Sequence, residues 1–408
     1  MGDRPVAAWL WRGGAKTLSI CFISTICLSA FLYTPARSTE SATCEELLRG
    51  TLFEFWGLPL PEEQAALQAL ADGCAGAESP PARSMTLKGL WDYAGGRYEM
   101  AAQAWTKGAD LGDPLSMVLL GDASGRGLVS GGDLDQRREA SYDWYRKAAE
   151  KGSPLGMSKL ALYYDHGYHV DEDPEKALTW YMAAAEAGEP SAMHNVAYHF
   201  AHGRGISPDV DLAIRWYKWA GEAGVMASYH NLAVLYDEGR EVPKDDAKAV
   251  YYYRLAAYGG YPDAMHNLAW MYKHGAGVER DYAEAVYWYE RALDSGLEVA
   301  ASNLGVMYYQ GLGVDQDTEK ALSYFLKAAN AGRAEAMGNV STIYMDSGVY
   351  PEAYFWTVLA IVHGLTDLSF RLVELQRLLP ETTLAAIESH ADSWAPGSPM
   401  PDLASLRR

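Results

Sequence analysis

The sequence predicts an all-α protein, an α/α superhelical solenoid built from helical hairpins. Three observations predict it. Gly152, Gly188, Gly224, Gly260, Gly296 and Gly332 recur every 36 residues, the residues between them repeat in step, and the apolar positions of each repeat fall at helical spacing. Arrays of this kind bind other molecules along a continuous surface more often than they catalyse. Composition agrees with a folded chain: 408 residues, 49% hydrophobic and 21% charged, can bury a large core. The formal charge of -19 repels a phosphate backbone, and no basic run reverses it locally, so nucleic acid is not an expected partner.

Residues 1–38 read as an export signal. Arg4, Arg12 and Lys16 precede an uncharged apolar run from Thr17 to Tyr33, and Ala36, Arg37 and Ser38 form a small-residue cleavage pattern. An uncleaved inner-membrane anchor over residues 17–33 is the alternative, because that run is just long enough to span. Either reading exports residues 39–408, to a periplasmic or secreted location. Cys21 and Cys27 lie inside the run, which leaves Cys44 and Cys74 as the one pair in the exported part. A disulfide between them is expected, with two buried free thiols as the alternative. The pair brackets two short helical patterns, Glu45 to Phe55 and Pro61 to Ala71, that form an N-terminal cap over residues 39–84.

Ser79, Pro80, Pro81 and Ala82 make a breaker, after which residues 85–112 show a single hairpin with Gly96, Tyr98, Ala101, Trp105 and Ala109. The array proper follows. In the first helix of each unit an aliphatic residue recurs at Leu160, Val196, Leu232, Leu268, Leu304 and Val340. A small residue comes next (Ala161, Ala197, Ala233, Ala269, Gly305, Ser341), whose lack of bulk lets the partner helix approach. An aromatic four residues beyond the aliphatic shares its face, from Tyr164 to Tyr344. The second helix begins at Asp173, Asp209, Asp245, Asp281 or Asp317, each placed to accept a hydrogen bond from an unpaired backbone amide. These carboxylates are structural. Alanine and a pair of aromatics such as Trp180 with Tyr181 or Trp288 with Tyr289 follow as core, and the periodic glycine suits a left-handed C-cap.

The unit from Ala300 to Gly332, with Leu304, Gly305, Tyr308, Gly311, Gly313, Val314, Asp317, Ala321, Phe325, Ala328 and Ala329, resembles the Sel-one-like repeat (SLR) family, relatives of the tetratricopeptide repeat (TPR). The resemblance extends over residues 113–364 as seven units. The first is four residues longer and the last four shorter than 36, as terminal units of an array often are. A C-terminal helical cap over 365–394 (Leu368 to Leu379, Glu381 to Trp394) and a flexible tail over 395–408 complete the chain.

The resemblance implies that first helices line the inner surface of a superhelix. Asn195, Asn231, Asn267, Asn303 and Asn339 stand just before the aliphatic position, and His194, His230 and His266 precede three of them. In TPR domains an asparagine at the matching place meets the backbone of a bound peptide, which implies a protein or extended peptide partner here. The alternative is that the asparagines satisfy groups between neighbouring units. Tyr198, Trp270 and Tyr309 are the expected aromatic anchors on the same face. His199 and His202 beside His194 invite a metal reading, but zinc needs three or four converging ligands, and no metal or other cofactor is expected.

Cysteine-rich secreted SLR proteins have been linked to penicillin binding and hydrolysis, but they carry a disulfide in every repeat and this chain has no repeat cysteine. No phosphate loop, nucleophile elbow or zinc-protease helix is present. The expected function is therefore a non-enzymatic, exported scaffold or adaptor in a bacterial envelope process. The alternatives are a secreted enzyme acting on a β-lactam or peptidoglycan-type substrate, and a luminal adaptor of degradation in the endoplasmic reticulum.

Overall fold

The computed structural model describes residues 81–398 except Ser130, together with 401–403 and 406. The expectations placed on the export segment, on Cys44 and Cys74 and on the N-terminal cap before Pro81 lie outside the described residues. Eighteen α-helices and no strand occur among the described residues, and they fall into two compact units that divide after Lys147.

The first unit holds α1 (Pro81–Ala94), α2 (Tyr98–Asp110), α3 (Pro114–Gly125) and most of α4 (Leu134–Glu150). Its first hairpin starts earlier than the sequence pattern indicates. Pro81, the first described residue, already lies in α1 and does not break it. Trp105 fills the hairpin and donates its indole N–H to the Thr86 carbonyl at 3.2 Å. The four extra residues of the next unit lie in the connection before α4, which closes in a reciprocal cap. The Gln136 amide donates to Asp133 at 2.9 Å, and the Asp133 amide donates to the Gln136 side chain at 3.2 Å.

The second unit stacks six hairpins: α5 (Pro154–His166) with α6 (Pro174–Glu186), α7 (Pro190–His202) with α8 (Val210–Glu222), α9 (Met226–Glu238) with α10 (Asp246–Tyr258), α11 (Pro262–His274) with α12 (Tyr282–Asp294), α13 (Val299–Gln310) with α14 (Thr318–Asn330), and α15 (Ala334–Asp346) with α16 (Tyr350–Val362). A 3-10 turn (Thr366–Leu368), α17 (Ser369–Leu378) and α18 (Glu381–Ser393) close it. The turn precedes the closing helix, and α17 lies one residue inside the indicated bounds, Leu368 to Leu379, at each end. The tail also differs from the flexible reading at one point, since Leu403 is buried in the same core.

Each chemical device read from the repeat takes its place. The periodic glycines have φ between +80° and +100°, a region that costs a side chain dearly. At each the chain leaves the helix through paired bonds, as where Gly188 N–H donates to Ala185 O at 2.9 Å and Glu189 N–H to Ala184 O at 3.0 Å. The five aspartates cap their helices, the carboxylates accepting from Lys176, Leu212, Lys248, Ala283 with Glu284, and Lys320 amides at 2.8–3.1 Å. Their own amides reach back to the first-helix aromatic, as from Asp209 to Phe200 O at 2.9 Å, so one residue joins the end of one helix to the start of the next. Aliphatic and small positions are fully buried from Ala161 to Ser341. Of the second-helix aromatic pairs, the second ring is buried in every repeat (Tyr181, Tyr217, Tyr253, Tyr289, Phe325), and the first is fully buried only at Trp288.

Replacing Asp209 with alanine is expected to lower unfolding free energy by about 1 kcal/mol, the typical worth of an N-cap. Chemical denaturation checks it: the midpoint falls while helical content in water stays constant.

Candidate functional site: the first-helix face

The first helices of the second unit carry every partner-binding candidate named from sequence. The histidine and asparagine side chains are half-buried, and those from His230 to Asn303 bond to one another within and across repeats. Asn303 Nδ2 lies 3.0 Å from His266 Nε2, and His266 Nδ1 lies 3.3 Å from Asn267 Oδ1. One repeat back the pattern recurs: Asn267 Nδ2 is 3.2 Å from His230 Nε2, and His230 Nδ1 is 3.5 Å from Asn231 Oδ1. Asn231 Nδ2 then reaches the Tyr217 hydroxyl at 3.4 Å.

Donor chemistry orders this chain. An amide nitrogen can only donate, so each Nε2 accepts and each Nδ1 carries the proton. Asn303, His266, Asn267, His230, Asn231 and Tyr217 form a one-way ladder over four repeats, in which both imidazoles are neutral. Burial depresses the pKa of His230 and His266, and each adjacent asparagine offsets part of that. At the N-terminal end the pattern changes: His194 Nδ1 meets Ser228 Oγ at 2.8 Å, and burial pushes the His194 imidazole down to about 4. The carboxamides of Asn195 and Asn339 make no side-chain hydrogen bond among the described residues.

The aromatic candidates divide. Tyr198 and Trp270 hold the same repeat position and are 39% and 42% exposed. Each ring stacks on a histidine four residues on, His202 at 4.1 Å and His274 at 4.2 Å between centroids. Each of those histidines is pinned through Nδ1 to the carbonyl of its own aromatic, at 2.9 Å in both cases. The result is a rigid, exposed aromatic plate, present twice. Tyr309 stands three positions further along the repeat, is half-buried, and donates its hydroxyl to Asp346 at 2.8 Å.

His199 and His202 do not act together. His199 is fully buried, with Nδ1 at 2.9 Å from Arg204 O and Nε2 at 3.3 Å from Asp165 Oδ1. Among the described residues no three His, Cys, Asp or Glu side chains are grouped as metal ligands. Arg204 also binds Asp165, through Nε at 3.1 Å and Nη2 at 2.9 Å, and reaches Glu172 at 3.0 Å. Burial raises the Asp165 carboxyl, but His199 and Arg204 together override it and hold it below its usual value. The sequence reading missed this cluster. One signal was visible: His199 occupies the position of Leu235, Met271, Met307 and Ile343 in the later repeats. Sequence reasoning also missed the aromatic rings that second helices leave exposed at Trp219, Tyr251, Tyr258 and Tyr287.

Two outcomes follow from the ladder. Asn267→Ala strips the donor from His230 Nε2 and the acceptor from His266 Nδ1. It should cost about 1 to 3 kcal/mol in denaturant titration, the usual penalty for stranded buried polar groups. For the pH dependence, a histidine with a depressed native pKa binds fewer protons folded than unfolded. Its stabilisation is complete above about 6.5, the unfolded value, and is lost as pH falls towards the native value, near 4 for His194. Asp165 acts in the same sense below 3.8, and half-buried Glu189, whose carboxyl is raised, acts in the opposite sense. The melting temperature of the double variant His194→Gln, His230→Gln should therefore fall less between pH 7 and pH 4.5 than that of the parent.

The Sel1 repeat model matches residues 114–153, 154–189, 190–225, 227–261, 262–297 and 299–332. The crystal structure of a Sel1 repeat protein from Oxalobacter formigenes is similar at 32% identity, over 60% of this chain and 98% of that one, with a TM-score of 0.55. The structure of c5321, a protective antigen of uropathogenic Escherichia coli with an SLR fold, aligns at 24% identity over 86% of this chain and 72% of that one, with a TM-score of 0.62. No curated protein matches the chain. The six matched segments span more than half of the sequence and coincide with the hairpins from α3 to α14, and the chain belongs to the Sel1 repeat family.

Proposed function

We propose that this chain is a non-catalytic adaptor that holds an extended segment of a protein partner along the concave, first-helix face of its second unit. Sel1 repeat folds generally serve protein interaction, and one observation points to this face in particular. Tyr198 and Trp270 each present an exposed ring fixed by a histidine stack, in matching positions two repeats apart. A ring already held in place loses little side-chain entropy when a partner covers it, and that is the property of an affinity anchor. The negative charge of the chain favours a segment with basic residues. The asparagine and histidine row has a supporting role in this reading: its ladder fixes the first helix on which Trp270 stands, and His194 ties the helix of Tyr198 to Ser228 of the next repeat.

The export signal belongs to the same proposal. With it, the adaptor works outside the cytoplasm in an envelope regulatory or assembly process, with Cys44 and Cys74 oxidised. Mass spectrometry of the fractionated protein tests this part: an N-terminus at Thr39 and a Cys44–Cys74 disulfide are expected, and free thiols on both cysteines of exported protein would contradict it.

Trp270→Ala is expected to weaken binding of a partner captured in stoichiometric amount by about 30-fold, the equivalent of a 2 kcal/mol hot spot, without lowering the melting temperature. Tyr198→Ala should act in the same way. Unchanged affinity in the double variant would remove this face from the function.

A further inference from the structure

The ladder stops where a pocket opens. At its N-terminal end the ladder joins the carboxamide of a first helix, Asn231, to the buried tyrosine of the preceding second helix, Tyr217. One repeat earlier their counterparts, Asn195 and Tyr181, are not bonded to each other. They line a cavity of about 470 Å³ together with His194, Tyr198, Arg204 and Glu172. Tyr181 is only 1% exposed, and its hydroxyl has no hydrogen-bond partner among the described residues. Leaving such a hydroxyl unpaired costs free energy that a bound group would recover. The Tyr289 hydroxyl is unpaired too, but the positions that correspond there to Asp165, His199 and Arg204 are Lys273, Met307 and Leu312.

The charge of the pocket restricts what can enter. Arg204 stands inside it and opposes a cation, while Asp165 and Glu172 oppose an anion. What remains open is a set of neutral partners: the Tyr181 hydroxyl, and the Asn195 carboxamide with a donor and an acceptor. A ligand group that both donates and accepts without net charge satisfies them, and the ladder itself shows the chemistry, because its rungs are carboxamides. The exposed Tyr198 ring at the wall gives an apolar surface for the stem of such a side chain.

We propose that this pocket is a subsite for a glutamine or asparagine side chain of the bound segment. The inference rests on the first-helix face being a peptide surface. Asp165, His199 and Arg204 serve as positioning residues. Their mutual contacts at 2.9–3.3 Å hold the two repeats that wall the pocket, and the later repeats carry Leu235, Met271, Met307 and Ile343 in the position of His199.

The test uses acetylated, amidated pentapeptides Ala-Ala-X-Ala-Ala with X as Gln, Arg, Glu or Leu, titrated calorimetrically into the full chain. The glutamine peptide should bind about tenfold more tightly than the others, one hydrogen-bonded group's worth of preference. Tyr181→Phe should abolish that preference with no loss of melting temperature, since Phe325 fills the same position in a later repeat. His199→Met should abolish it too. If the glutamine preference survives Tyr181→Phe, or if all four peptides bind alike, the subsite is overturned. The peptide surface then still stands provided that Trp270→Ala weakens every peptide. A tightest complex with the arginine or glutamate peptide overturns the carboxamide assignment. Binding of none of the four, with N,N′-diacetylchitobiose binding in a Tyr181-dependent manner, would make the pocket a saccharide site and overturn the inference and the peptide reading together.

Discussion

The second unit depends on one crossing, where a small residue of the first helix lets the aromatic ring of the second come close. Its tightness shows where glycine takes the small position: a methyl group on Gly305 would lie 2.6 Å from the Phe325 ring. The first unit repeats the device at Gly121, where a methyl would meet the Tyr145 ring at 2.5 Å. Close approach buries the ring completely, and the packing that results is what converts a helical pattern into a fixed hairpin. It also decides where the far end of the ring emerges. When the ring is tyrosine, its hydroxyl is delivered to the seam beside the first helix, where it meets Asp122 from Tyr145, Asn231 from Tyr217 and Asp237 from Tyr253. The polar chemistry of the seam is thus a consequence of the apolar crossing.

The ladder adds direction to the stack. Apolar faces between repeats tolerate small slips, because dispersion and burial change gradually with position. A chain of single donors and single acceptors does not: every imidazole must be neutral, in one tautomer, and in reach of two carboxamides. Burial pushes the Tyr217 hydroxyl up to about 12, so the end of the ladder stays protonated at any ordinary pH. In a quasi-one-dimensional array, where stability is a sum of repeat and interface contributions, bonds that run from one repeat to the next strengthen the interface share. Trp270 stands on a helix held in this way, and the helix of Tyr198 is tied to the next by His194 and Ser228.

Much of the scaffold was legible in the sequence because the signals were local and one-to-one. A glycine that must adopt positive φ, an aspartate that must meet amides two or three residues on, and an alanine that must be small carry their reasons within a few residues of themselves. The site was less legible because its reasons lie a repeat away. Nothing near His230 tells that its Nε2 faces Asn267, and nothing near Asp165 tells that Arg204, 39 residues on, will bind it twice. Tyr309 illustrates the same limit: counted along one helix it shares a face with Trp270's position, but its hydroxyl is committed to Asp346 in the next repeat. The deviation at His199 was visible all along as a polar residue in an apolar column, and only the fold supplies its partners.

That deviation bears on what His199 does here. Burying polar side chains such as His199 and Asp165 seldom adds stability by itself, since apolar residues of similar volume usually do as well or better. This chain contains its own controls, in which Leu235, Met271, Met307 and Ile343 fill the column with no polar partner. The repeat fold therefore does not require a histidine there. The same two-repeat segment also holds the untouched Asn195, the unpaired Tyr181 hydroxyl and the exposed Tyr198 ring. The departures from local consistency in this array gather at the seam between α5 and α7, the place where the proposed subsite lies.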